Sequence, residues 1–312
     1  MQKNKASWLP FVGQARRWED LEAEDQNYNS YGQELAPDSE GLGLIQAIQL
    51  HFIELVDRLC QRQGLRYYLL FDSLSRALRH WEAPYQPDCC LALPREDYRR
   101  LRLALEERES EERYTLGLHP YFGDSLYFRI LARRAKLQLE RPLPLDLEQQ
   151  GPGLLILPMD EALSEPEAEA RRQERIQVLI RALAQKEQRR HGAEKAGGEE
   201  REGGVDWLSY LPLLFLQRRL DQLLEQGRGQ EAEHWALYAP QAGLSPVCYL
   251  PKQSLEPSSK LPAGHRFVRV PAGAHELQTR LYGARYREQG AEPVPCRYFG
   301  LDSIYWADVI HG

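Results

Sequence analysis

The sequence predicts an α+β fold: a mixed sheet flanked by helices, with a helical insertion and a C-terminal strand/helix segment. Three observations predict it. Short apolar runs alternate with helix-period segments between residues 45 and 158. A long, strongly charged helical stretch interrupts them after residue 163, and strand and helix patterns return between residues 266 and 282. The chain of 312 residues can bury one large core, or one core with an insertion, and 42% hydrophobic against 28% charged residues is a globular balance.

Element by element, residues 1–38 are polar with scattered aromatics and read as an N-terminal arm. Ile45, Ile48, Phe52, Leu55, Val56 and Leu59 recur at helical spacing, and Gly64 follows as a C-cap, so a buried helix opens a core spanning residues 39–163. Leu65–Phe71 reads as a strand, Ser73–His80 as a short helix and Cys89–Leu93 as a second strand. Arg95–Arg108 is a helix with Tyr98, Leu101 and Leu105 on one side, opened by Asp97 in a capping role. Strands are expected at 125–131, 136–139 and 153–158. A helical region covers 164–245: a charged helix from Ser164, capped by Ser164 with Glu167, then a flexible linker near 192–204, then a helical block from Asp206 to Tyr238. Residues 246–312 form a C-terminal segment expected to pack on the core, with a strand at 266–270 and a helix at 273–282.

The balance of charge excludes a general nucleic-acid binder. The net charge is -6 and the pI about 5.8, whereas such proteins carry a basic face. No apolar run approaches the ~20 residues that cross a bilayer. The longest, Trp207–Leu216, is broken by Pro212 and followed by Arg218 and Arg219, so core packing is expected of it and at most a peripheral membrane contact. Five cysteines without framework spacing suit a reducing compartment, and a cytoplasmic location is expected. Cys89 and Cys90, as strand neighbours, point to opposite faces and read as buried structural thiols.

The segment LRYYLLFDSLSRALRHWEAPYQPDCCLALPREDYRRL, residues 65 to 101, resembles the core of the LicD-type phosphocholine and phosphosugar transferases. In that family a strand leads into a Gly-Gly-Thr/Ser turn and a helix ending in Arg-His, then an Asp-rich strand and Arg-x-Asp-Tyr. The likeness continues in GLLILPMDEAL (153 to 163) and in the FVRVP, RLYGARY and Pro/Arg-containing stretches between 267 and 298, in the same order. The resemblance implies a nucleotidyltransferase-like mixed sheet, a turn for phosphate, and Mg²⁺ or Mn²⁺ held by strand carboxylates. It implies transfer of a phosphorus-containing group from a nucleotide-activated donor to a glycan acceptor.

Phosphoryl transfer needs oxygen anions to seat the divalent ion. The family's Asp-x-Asp positions fall on Asp88 and Cys90, and its later acidic position on Leu155, so Asp88 alone persists. The two glycines of the turn fall on Phe71 and Asp72, with the hydroxyl retained as Ser73. Arg76 replaces a small residue, while Arg79 and His80 persist, and Ser73, Arg76 and Arg79 are the candidate phosphate ligands. Asp88 and Asp72 are the candidate metal ligands, and Asp88 and Asp160 the candidate catalytic carboxylates. Each has a plainer reading: Asp88 as a strand-end carboxylate, Asp72 as an ion-pair partner of Arg79, Asp160 as a helix cap.

Two functions follow. In one, the protein is a LicD-like homologue with a degenerate metal and phosphate site, weakly active or inactive, acting with a protein partner or ligand in binding or regulation tied to cell-surface glycan modification. In the other, it is an active, divergent transferase with relocated metal ligands, for which Asp72, Glu82 and Asp160 are the nearest carboxylates along the motifs.

Overall fold

The computed structural model describes residues 33–34, 39–78, 88–110, 112–119, 121–139, 151–193, 207–230, 232–238, 247–263, 266–282, 296–301, 305–306 and 308–309. In chain order the elements are β1 (Gln33–Glu34), α1 (Ser39–Gln63), β2 (Tyr68–Leu69), α2 (Phe71–Leu78), β3 (Asp88–Pro94) and α3 (Arg95–Glu106). Then come β4 (Tyr114–His119), β5 (Gly123–Ala132), β6 (Ala135–Leu139), β7 (Gly153–Glu161), α4 (Pro166–Ala193) and α5 (Leu213–Leu224). The chain continues through β8 (His234–Leu237), β9 (Cys248–Pro251), α6 (Lys252–Leu255), β10 (Ser259–Ala263), β11 (Arg266–Val270), α7 (Ala274–Tyr282) and β12 (Cys296–Leu301). The fold is α+β, with helices flanking a mixed sheet that contains a parallel pair.

Two compact units emerge, and β4, β5 and β7 contribute residues to both. The larger takes in the described residues up to Gly117, Phe128–Leu157 and those from Gln253 onward. Its sheet has the order β2-β3-β7-β5-β4. The unbroken apolar run of β3 explains its central place: Cys89, Cys90, Leu91, Ala92 and Leu93 are all buried, as a strand covered on both faces requires. The α1 stripe predicted from spacing is buried along its length, from Ile45 to Leu59. Gly64, at φ +66°, ends the helix in the left-handed region, and the Leu65 amide reaches back to the Cys60 carbonyl at 2.8 Å. At Gly153 the strands approach so closely that a Cβ would stand 2.2 Å from the Ile130 carbonyl oxygen.

A second sheet of order β1-β12-β6 and the β10–β11 hairpin complete this unit. Near the end of the chain Trp306 is fully buried, edge-on to Phe52 and His51, and its indole N–H donates to the Arg133 carbonyl at 3.0 Å. Arg113 stacks over both Tyr305 and Trp306 and pairs with Asp308.

The smaller unit comprises Leu118–Tyr127 and Pro158–Lys252 among the described residues. The end of β7 pairs with β8 and β8 with β9, all antiparallel. Glu169 on α4 is its hub. It accepts from the Leu163 amide (2.8 Å), the Tyr249 and Tyr238 hydroxyls (2.9 and 3.3 Å), and Arg172 (2.9 Å). Arg172, 1% exposed, also donates to the Glu161 carbonyl. Such a pair contributes little net stability while intact, yet losing one partner strands the other at a cost of about 3–5 kcal/mol.

Several sequence readings need correction. The strand expected over Leu65–Phe71 shortens to Tyr68–Leu69, because Phe71 already begins α2. The helix after residue 163 starts at Pro166, so Ser164 lies outside its cap; Glu169, not Glu167, reaches back to the preceding backbone. The block from Asp206 to Tyr238 is not continuous helix. Pro212 starts α5 afresh after a 3-10 turn at Trp207–Tyr210, and His234–Leu237 is a strand. Asp97 does not cap α3; its carboxylate takes both the backbone amide and the Nε of Arg66, at 3.2 and 3.1 Å. Most of the N-terminal arm and of the 192–204 linker lies outside the described residues. Among those described, no helix is long and apolar enough to cross a membrane.

His119 yields a pH prediction. Its Nδ1 accepts from the Tyr121 and Phe122 amides, at 3.2 and 3.3 Å, and the ring packs 4.4 Å from that of Phe122. Burial pushes its pKa down from 6.5 to about 4. The unfolded chain therefore takes up a proton that the native state refuses. Stability from this residue is full above pH 6.5 and lost as pH falls toward 4, by up to ~3 kcal/mol. His119→Asn, which keeps an acceptor for the two amides, is expected to flatten that part of the stability–pH curve in urea titrations.

Candidate functional site

The turn from Leu70 to Arg76 is held against β3 by backbone geometry before any side chain acts. Leu70 donates its amide to the Cys90 carbonyl at 3.2 Å, and the Cys90 amide donates to the Ser73 hydroxyl oxygen at 2.5 Å. Both backbone polar groups of Cys90 are thus bonded to the turn. Ser73 is 2% exposed, and its oxygen caps a strand amide.

Between them the chain must reverse direction into α2, and it does so at Phe71 with φ +54°. That left-handed conformation favours glycine, and an ordinary side chain there costs about 1–2 kcal/mol. Phe71 is nonetheless buried. Its carbonyl accepts from the Gln278 side-chain amide at 2.6 Å, and the Gln278 oxygen accepts from the Ser75 hydroxyl at 2.8 Å. One glutamine on α7 therefore bridges two points of the turn and the first stretch of α2.

Arg76 follows one helical turn later and is 2% exposed. A guanidinium so placed must be bonded, and its Nη1 donates to the Gln49 side-chain oxygen at 3.1 Å and to the Cys89 sulfur at 3.5 Å. Gln49, on α1, is itself fully buried. Asp72 is half-buried in the first turn of α2. Burial pushes its carboxyl pKa upward, against the lowering effects of a hydrogen bond from Tyr282 and of the Arg76 charge.

The structure thus brings Asp72, Ser73 and Arg76 together on one turn beside β3. Asp88 is the first residue of that strand, and its side chain lies outside the described residues, as does Arg79. The partners seen at Asp72 are Tyr282 and Arg76. Asp160 belongs to the smaller unit. There it is 3% exposed on β7, opposite Ala236, and its charge is felt by the Tyr238 hydroxyl. Cys60, Cys89 and Cys90 are buried thiols, and burial raises that of Cys60 to about 12. Among the described residues, no group of three or more His, Cys, Asp or Glu is placed to hold a metal ion.

Three neighbours of the turn escaped the sequence reading: Gln49, Gln278 and Tyr282. For the glutamines a signal existed. Gln49 falls beside Ile48 and four residues after Ile45 on a buried stripe, and Gln278 follows Leu277 in the same manner, so each is a polar residue on an apolar face.

No protein-family model matches this chain, and a search of curated proteins finds none significantly similar to it.

The Ser73–Cys90 bond gives a direct test. Ser73→Ala removes the acceptor and leaves a buried strand amide unbonded, so a loss of about 1–3 kcal/mol is expected in denaturant unfolding. Were the hydroxyl available only to a ligand, the substitution would leave stability unchanged.

Proposed function

We propose that this protein is a LicD-like homologue with a degenerate metal and phosphate site, weakly active or inactive as a transferase. It acts by binding or regulation linked to cell-surface glycan modification. One observation carries the reading. At the turn that aligns with the family's phosphate loop, the retained hydroxyl and the new guanidinium are bonded inside the fold, to the Cys90 amide and to Gln49 with Cys89. A phosphoryl group is held by donors aimed at it; here both side chains are buried and tied to neighbours in the fold, Ser73 as an acceptor and Arg76 through Nη1, which would have to leave Gln49 and Cys89 first.

The left-handed Phe71 supports descent of the turn from a glycine-bearing one, since its backbone keeps a conformation that glycine adopts freely. Where the family's glycine leaves an open approach for phosphate, a buried benzyl group now fills the position. The α+β sheet with helices on its faces is compatible with a nucleotidyltransferase-like ancestry. Asp88 and Asp72 would be the first carboxylates toward a divalent ion. Asp72, whose carboxyl is pushed toward the neutral form, is a poor ligand for one.

A thermal-shift titration tests the reading. The full chain is heated with Mg²⁺ or Mn²⁺, with and without CDP-choline, beside the Asp88→Ala variant. No metal-dependent rise in the unfolding midpoint is expected. A ligand that bound at 100 times its Kd would contribute about 2.7 kcal/mol. Saturable stabilisation that requires the metal and vanishes in Asp88→Ala would establish an active, divergent transferase instead.

A further inference from the structure

Large exposed apolar residues are scattered singly over most of the described surface, at Leu103, Leu118 and Phe267. One stretch differs. Tyr210 (71% exposed), Leu214 (67%) and Phe215 (55%) lie within six residues, at the junction of the 3-10 turn and α5. The opposite face of α5, Leu216, Leu220, Leu223 and Leu224, is buried, so the helix is already fixed to its unit and Leu214 and Phe215 are surplus to its packing.

The nearest charges along α5 are positive. Arg218 and Arg219 are exposed and stand four residues after Leu214 and Phe215, so each guanidinium follows an apolar side chain along the helix surface. Arg219 is steadied by Gln222 at 3.1 Å. The first turn of α5 carries no acidic residue, and Pro212 at its N-cap has no side chain that can bond the leading amides. The Phe215 and Leu216 amides turn back to the Pro212 carbonyl, at 3.0 and 3.2 Å, so Leu214 and Phe215 stand at the positive end of the helix dipole.

From this juxtaposition we infer that Tyr210, Leu214 and Phe215, with Arg218 and Arg219, form a docking surface for an anionic phospholipid bilayer. Leucine and phenylalanine would enter the acyl boundary, tyrosine would sit at the headgroup level, and the arginines would meet lipid phosphates. Two arginines beside a protruding leucine, phenylalanine and tyrosine match a surface that offers phosphates above acyl chains, whereas an acidic protein segment would meet the arginines alone. The chain as a whole is negative, at -6, so the attraction is local and sensitive to salt. The patch belongs to the smaller unit and the 70–76 turn to the larger, so each can fail its own assay alone.

Sedimentation of the full chain with vesicles decides the matter, comparing phosphatidylcholine alone with phosphatidylcholine mixed with phosphatidylserine. Binding to the mixed vesicles and weaker binding to the neutral ones is expected. The Leu214→Ala/Phe215→Ala variant should bind at least ~10-fold more weakly, with an unchanged circular dichroism spectrum and unfolding midpoint. The Arg218→Gln/Arg219→Gln variant should lose roughly 10-fold on mixed vesicles and little on neutral ones. Failure to bind either vesicle, or binding that neither variant weakens, overturns the inference. So does self-association in analytical ultracentrifugation, abolished by Leu214→Ala/Phe215→Ala, without vesicle binding; that would assign the face to a second copy of the chain.

Discussion

A buried strand residue carries an N–H and a C=O that must both find partners, and at Cys90 both find them in the same short turn. Its carbonyl takes the Leu70 amide and its amide takes the Ser73 hydroxyl. Neither bond is large alone, at ~1 kcal/mol net, but leaving either group unbonded costs more than the bond contributes. The chain between Leu70 and Ser73 is thereby held at fixed register to β3. Phe71 has to turn in the space left, and the left-handed backbone follows. With α2 anchored at its start, Arg76 is carried inward onto Gln49 and Cys89, and Gln278 closes the far side.

The smaller unit solves a similar problem with charge. Glu169 and Arg172 are buried together, and two tyrosine hydroxyls and a backbone amide complete the carboxylate's shell. Nearby, Gly227 leaves no room for a side chain: a Cβ would lie 2.0 Å from the Glu161 carbonyl oxygen and 2.9 Å from Arg172. Both units therefore use a buried, hydrogen-bonded polar cluster where a purely apolar core would tolerate alternative packings. In each, the groups most reminiscent of chemistry hold elements together.

Where burial follows from periodicity, the sequence was readable. The α1 stripe, the all-apolar β3 and the Gly64 cap each express a local rule, and the folded chain obeys it. Readings failed where a distant partner outweighed local preference. Ser164 and Asp97 are good capping residues, but Glu169 and Arg66 offered better bonding arrangements. His234–Leu237 looked helical from its neighbours, yet pairing with β7 and β9 makes it a strand. At the candidate site, the family resemblance singled out Asp72, Ser73 and Arg76. It could not reveal that their bonds point into the fold, because Gln278 lies 207 residues away from the Phe71 carbonyl it holds.

Phe71 makes the turn hard to open. Glycine there would relieve about 1–2 kcal/mol of backbone strain. It would also empty a core site the size of a benzyl group, and such losses typically run to about 3–5 kcal/mol. An open loop here would therefore need compensating changes among the residues packed on the ring, made before or with the glycine.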